Sequence, residues 1–220
     1  EHLTQSNIKT NTLRRKIACM KVFYNYLKYQ NIIEENPFNQ LRFQFRTEKI
    51  LPKTIPYDIL KNIFSYLEQR IVISKTEYQK QKAERNLLII SLLLSTGIRI
   101  SELCHIHLKD INLSNKTLHI IGKGKKERIL FLGDQKTFNL LETYINKTRN
   151  ESNDFLFPGK HSLKPLSEQS VRLVLKRIVE QNSLSRTITP HMFRHSFATM
   201  LLDNDVDIRY IQQILGHSSI

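Results

Sequence analysis

The chain has 220 residues, 40% of them hydrophobic, and carries 34 Lys and Arg against 20 Asp and Glu, a formal net charge of +14. The apolar share supplies the core of one large or two small domains and excludes wholesale disorder, while the basic excess points to a polyanion as partner. The longest apolar stretch, Leu87 to Ile98, is broken by Ser91, Ser95, Thr96 and Gly97; it falls short of the ~18 residues of a membrane span, nothing at the N-terminus resembles a signal peptide, and Cys19 and Cys104, far apart, fit a reducing cytoplasm better than a disulfide scaffold.

In chain order, residues 10–30 form an amphipathic helix, with Leu13, Ile17, Met20, Tyr24 and Leu27 on one stripe and Arg14, Arg15, Lys21 and Lys28 off it. Asn36-Pro37 marks a loop. The basic stretch 42–53, with Arg42, Arg46, Lys49 and Lys53 before and after Leu51-Pro52, contains a linker over 46–53. Pro56 opens a helix that buries Ile59, Leu60, Ile63, Phe64, Leu67 and Ile71. Residues 75–86 are polar and carry no strong structural signal. Residues 84–95 read as a fully buried helix ended by Gly97, and Ser101 to Leu108 as a short helix after it.

The period then changes. Thr117–Ile121 and Glu127–Leu132 read as strands joined by Gly122-Lys123-Gly124-Lys125-Lys126. Helix returns over 135–148. Phe155-Leu156-Phe157 is a short strand or turn. Ser167 caps a helix running to about Gln181. Thr189 and Pro190 open the helix carrying His191 and Arg194, and Asp207 starts a last helix that stops at Gly216. The fold class is mainly α with a small antiparallel β-sheet (α+β).

Arg99, His191, Arg194 and His217 are basic or imidazole side chains without an obvious acid nucleophile or metal cluster beside them. His191 and Arg194, at i and i+3, project from one helix face. Such a set suits a doubly negative, pentavalent phosphoryl transition state. Arg99 with Glu102 three residues on reads either as a surface ion pair or as a guanidinium oriented for bidentate phosphate contact. The hairpin's glycines let backbone approach a phosphate, and Lys123 is a mobile acid; the bland reading is an ordinary exposed turn with solvated lysines. His191 and His195 have the i, i+4 spacing of a zinc site, but Met192 and Phe193 stand where a metalloprotease helix carries its glutamate, and Cys104, His105 and His107 lack a second ligand pair. No metal site is expected, and His195 reads as a packing or supporting residue.

These segments, Thr96-Gly97-x-Arg99-x-Ser101-Glu102-Leu103, Gly122-Lys123-Gly124-x-Lys126-Glu127-Arg128, Thr189-Pro190-His191-x-x-Arg194-His195-Ser196-Phe197-Ala198-Thr199 and Ile214-Leu215-Gly216-His217, resemble in order and spacing the tyrosine recombinases, Xer-type integrases among them. The resemblance covers nearly the whole chain. It implies a two-lobed DNA clamp, with residues 1–45 the C-terminal part of a helical core-binding domain and 54–220 a catalytic domain. It implies site-specific cleavage and rejoining of DNA through a 3′-phosphotyrosine, with no metal or other cofactor. Arg99 and Arg194 resemble the arginines that hold the scissile phosphate, and Glu102 the acid that supports the first of them. Lys123 resembles the general acid for the 5′-hydroxyl leaving group. His191 resembles the histidine that assists proton transfer at the nucleophile, and His217 a donor to a non-bridging oxygen. No tyrosine follows His217, so the nucleophile is expected beyond Ile220. Arg14, Arg15, Lys21, Lys125 and Lys126 are the expected DNA-binding residues. The implied partners are double-stranded DNA and three further copies of the chain, a homo-tetramer on two sites. The alternatives are a non-catalytic DNA-binding regulator of recombination, a type IB topoisomerase and a metal-dependent nuclease.

Overall fold

The structure is a computed structural model and describes residues 8, 10–41, 53–122, 124, 126–148, 154–159 and 164–216. The chain divides into two compact units, Glu1–Leu51 and Pro52–Ile220. The expected linker, 46–53, lies outside the described residues apart from Lys53.

In the first unit, α1 (Thr10–Tyr29) follows the expected stripe and ends where Asn31 takes the left-handed conformation (φ 56°). Asn36 is buried and fastens the following loop back onto the helix. Its Nδ2 donates to the Asn25 Oδ1 (2.7 Å) and the Lys21 carbonyl (3.2 Å), and its Oδ1 accepts from the Phe38 N–H (2.9 Å). The Phe38 ring lies 5.3 Å from that of Tyr24. Of the predicted stripe, Ile17 is buried and Met20 remains exposed. Arg14, Arg15 and Lys21 are exposed.

The second unit is built round one helix. After α2 (Tyr57–Val72), α3 runs from Glu77 to Thr96. Leu88, Ile89, Ile90, Leu92 and Leu93 are each fully buried; a helix apolar on all sides is a core element. Helices α2, α5 (Gln135–Thr148) and α7 (Pro190–Asp203) pack against it. The polar first half of α3 covers most of the segment that carried no signal. The Thr76 hydroxyl caps it by accepting from the Gln79 N–H (3.2 Å). Without an apolar stripe before Ala83, periodicity could not reveal this half.

Gly97 ends α3 in the left-handed region (φ 60°). A Cβ there would sit 2.4 Å from Phe197 Cδ1 and 2.9 Å from Leu215 Cδ2, so its absence lets α7 and α8 (Ile208–Leu215) close on the turn. Gly97→Ala is expected to destabilise the protein by about 2–4 kcal/mol, the left-handed penalty plus overpacking. A denaturant midpoint equal to wild type would refute that.

The short helix after Gly97 is α4 (Ile100–Cys104), ending four residues before the expected Leu108. The reason is a competing pairing. The Leu108 N–H donates to the Asp154 carbonyl and the Leu156 N–H to the Ile106 carbonyl, both at 2.9 Å, so 106–108 runs extended beside 154–156. A 3₁₀ turn (Leu108–Asp110) leads into a strand the sequence did not announce, β1 (Ile111–Asn112). It joins β2 (Thr117–Ile121) and β3 (Glu127–Phe131) in an antiparallel sheet of order β1-β2-β3. Leu118 pairs with Leu130 and Ile120 with Arg128, and the apolar residues of these pairs enter the core. Helix α6 (Glu168–Gln181) starts at the Ser167 cap, which accepts from the Ser170 N–H (3.1 Å). Thr189 precedes Pro190 at the start of α7 but makes no side-chain cap. Asp207 caps α8 by accepting from the Arg209 N–H (2.7 Å). No helix is long and apolar enough to cross a membrane among the described residues.

Candidate active site

Arg99 leaves the Gly97 turn at the N-cap position of α4, and Glu102 sits three residues on. That spacing brings the carboxylate back over the helix start, where it accepts from the Arg99 backbone N–H (3.0 Å) and from Arg99 Nη1 (2.9 Å). A third partner arrives from β3. Arg128 Nη1 donates to Glu102 Oε1 (3.0 Å) and Nη2 to Oε2 (2.7 Å), a fork on both carboxylate oxygens. The Glu102 side chain is 5% exposed, Arg128 10% and Arg99 34%. Burial pushes the Glu102 carboxyl up, but the Arg128 hydrogen bonds, the Arg99 backbone N–H and the Arg128 charge outweigh it and hold the group below the ordinary carboxylate range.

The last helix ends among these arginines. The final carbonyls of any helix lack intrahelical donors. Here three successive ones are satisfied by three guanidinium groups from distant segments. The Ile214 carbonyl accepts from Arg128 Nε (2.9 Å), that of Leu215 from Arg194 Nη2, and that of Gly216 from Arg99 Nη2 (3.0 Å). Arg194, on α7, also donates to the Gly97 carbonyl (2.8 Å) and is buried. Cations at a helix C-terminus are favourable, yet burial, with the charge of Arg99 next, pulls the Arg194 pKa down to about 10. The group stays charged at neutral pH.

A cleft of about 1770 Å³ opens over this network, lined by Arg99, Glu102, Lys126, Arg128, Tyr210 and Gly216 among others. The structure therefore brings together Arg99, Glu102 and Arg194, with Arg194 beneath the surface. His191 is placed differently. It is exposed at the second residue of α7 and lines a separate cleft of about 520 Å³ with Arg172, Lys176 and Ile100, the neighbour of Arg99. Lys123, Lys125 and His217 lie outside the described residues; Lys126 is exposed at the end of the hairpin, which the Gly122 N–H closes on the Lys126 carbonyl (2.7 Å). His195 is exposed, against the expectation of packing, because the buried position beside it belongs to Ser196. The Ser196 hydroxyl accepts from the Ile55 N–H (2.8 Å).

Arg128 is the residue whose importance the sequence reading missed. Its signal was strand parity. Glu127, Ile129 and Phe131 face outward, so Arg128 shares the inward face with Leu130, opposite Ile120. An arginine at a core-facing position demands a buried acid, and Glu102 is that acid. Cys104 is core, its thiol pushed up to about 11 by burial. Among the described residues no three His, Cys, Asp or Glu side chains are grouped to hold a metal ion.

Comparison with known proteins bears on family and fold. The model of the phage integrase family matches residues 61–220. The chain is 51% identical over 216 residues to a tyrosine recombinase of Agathobacter rectalis, covering 96% of this chain and 70% of that protein. It is 33% identical over 223 residues to the tyrosine recombinase XerC of Bacillus subtilis, covering 98% and 69%. In fold it matches the XerH site-specific recombinase bound to palindromic difH substrate in a post-cleavage complex, with a TM-score of 0.77 and 24% identity over 98% of this chain and 61% of that one. It also matches the Tn1549 transposon integrase in complex with circular intermediate DNA, with a TM-score of 0.71 and 20% identity over 100% of this chain and 75% of that one. The chain belongs to the phage integrase family, the tyrosine recombinases, whose members are site-specific DNA recombinases.

Proposed function

We propose that the full-length protein cuts and rejoins duplex DNA through a 3′-phosphotyrosine, with Arg99 and Arg194 holding the scissile phosphate. The observation that supports this most is charge balance. Three guanidinium groups, those of Arg99, Arg128 and Arg194, surround a single carboxylate, Glu102. Those four side chains together carry a net charge of +2. A phosphodiester brings one negative charge and its pentavalent transition state two, so attraction grows along the reaction coordinate. Growth of that kind lowers a barrier, whereas equal binding of both states does not.

In this reading Glu102 fixes the Arg99 fork. The tyrosine, expected beyond Ile220, bonds through its oxygen to phosphorus while its proton leaves toward His191. The P–O5′ bond breaks, and O5′ takes a proton from Lys123. His217 donates to a non-bridging oxygen. Religation runs these steps backwards, with the phosphotyrosine bond conserving the energy of the broken phosphodiester. Arg14, Arg15, Lys21, Lys125 and Lys126 contact backbone phosphates, and four protomers act on two sites, in the cytoplasm.

The test is to incubate the full-length protein, with chelator present, with nicked duplexes selected from a random pool by binding. A covalent adduct on the 3′ side of the cut is expected; its absence on every bound sequence would refute the reading. Binding should also respond steeply to salt. Five phosphate contacts correspond to a loss of about 500-fold between 50 and 200 mM salt. A flat response in a gel-shift titration would remove the five basic residues from the interface.

A further inference from the structure

We propose that Arg128 is a positioning residue for the phosphate-binding arginine, acting on Arg99 from two sides at once, through the Glu102 carboxylate and through the end of α8. The inference rests on the assignment of Arg99 to the scissile phosphate and adds a residue which that assignment does not contain.

The geometry is a closed bracket. Arg128 Nη1 and Nη2 hold both oxygens of Glu102, and Arg128 Nε holds the Ile214 carbonyl. Glu102 in turn holds Arg99 through the backbone N–H and Nη1, while two residues past Ile214 the Gly216 carbonyl holds Arg99 Nη2. Arg99 is therefore held at both ends of its fork, by a carboxylate that Arg128 grips directly and by a carbonyl two residues past the one that Arg128 grips. Two glycines make room for the bracket. A Cβ on Gly122 would lie 3.3 Å from Glu102 Oε1 and 3.6 Å from Arg128 Nη1, and one on Gly216 would lie 3.3 Å from Arg128 Nη1 and 3.4 Å from its Cδ. The three donors of Arg128 diverge within one rigid plane toward two acceptor groups on different elements. A lysine ammonium carries the same charge but concentrates its donors at one point and cannot span both.

This separates positioning from mere support. Arg128→Lys keeps a cation beside Glu102, so its melting temperature is expected to stay close to wild type and its affinity for duplex DNA unchanged. Its single-turnover cleavage rate at saturating DNA is expected to fall about 100-fold, the scale of a misplacement of ~1 Å at a reacting centre. The same substitution in an Arg99→Ala background is expected to cost less than about threefold, because the residue through which it acts is gone. Arg128→Ala, which leaves Glu102 without its main partner, is carried along to show the stability loss that Arg128→Lys avoids. A wild-type cleavage rate in Arg128→Lys, or a full 100-fold further loss in the double variant, would overturn the proposal. If Arg99→Ala alone cleaves at the wild-type rate, the phosphate assignment fails instead, and that outcome is read from a different variant.

Discussion

Arg99→Ala in the full-length protein is expected to lower the single-turnover rate of covalent adduct formation by about 100- to 1000-fold, while affinity for duplex DNA falls less than about tenfold. The first figure is the usual loss on removing one preorganised donor aimed at developing charge. Arg99 fits that description. Its side chain is one-third exposed into the cleft, and its fork is held by Glu102 and the Gly216 carbonyl, so little reorganisation is needed when phosphate arrives. The second figure follows because one contact among many carries a small share of a salt-dependent affinity. Adduct formation on a gel and a binding titration measure the two quantities on the same preparation. Equal losses in both would place Arg99 in binding rather than in chemistry.

Glu102→Ala is expected to reduce stability by about 3 kcal/mol, toward the lower end for breaking a buried ion pair because Arg99 keeps access to solvent. In a domain of this size that corresponds to a fall of about 6–12 °C in melting temperature. The loss comes from the partners left behind. Arg128, 10% exposed, would retain its charge against a core-facing strand with only the Ile214 carbonyl as partner among these contacts. The pH dependence has a definite sign. The folded carboxyl lies below its ordinary value of 4.5, so its contribution is complete above that pH and is lost as pH falls through the lower folded value. Glu102→Gln removes this linkage. The wild-type protein should lose stability more steeply than Glu102→Gln below about pH 4.5, and parallel acid limbs would contradict the ion-pair account.

What the sequence disclosed and what it concealed divide along physical lines. Periodicity located α1, α2, α6 and the hairpin, and the capping residues Ser167 and Asp207 marked their helices because a cap is a local interaction. The polar half of α3 and the end of α4 were hidden because neither is decided locally. The first carries no apolar stripe, and the second ends where 154–156 takes its backbone partners. The same distinction applies at the site. Arg99 and Glu102 lie three residues apart and could be read as a pair. Arg128 meets Glu102 across 26 residues and Ile214 across 86, and no spacing rule reaches that far. The satisfaction of three successive α8 carbonyls by three arginines is likewise a tertiary fact. His191 illustrates the converse: its i, i+3 relation to Arg194 placed both on one helix face, yet Arg194 is buried while His191 opens on a second cleft.

The most direct test of the account is a substrate in which a methyl group replaces one non-bridging oxygen of the scissile phosphate, removing its charge. On the ordinary phosphate, Arg194→Ala in the full-length protein is expected to cleave at least about 100-fold more slowly than wild type. On the neutral substrate the same substitution is expected to cost less than about tenfold, because the charge that Arg194 answers is no longer there. An equal loss on both substrates would contradict the claim that the buried Arg194 guanidinium acts on the charge of the scissile phosphate.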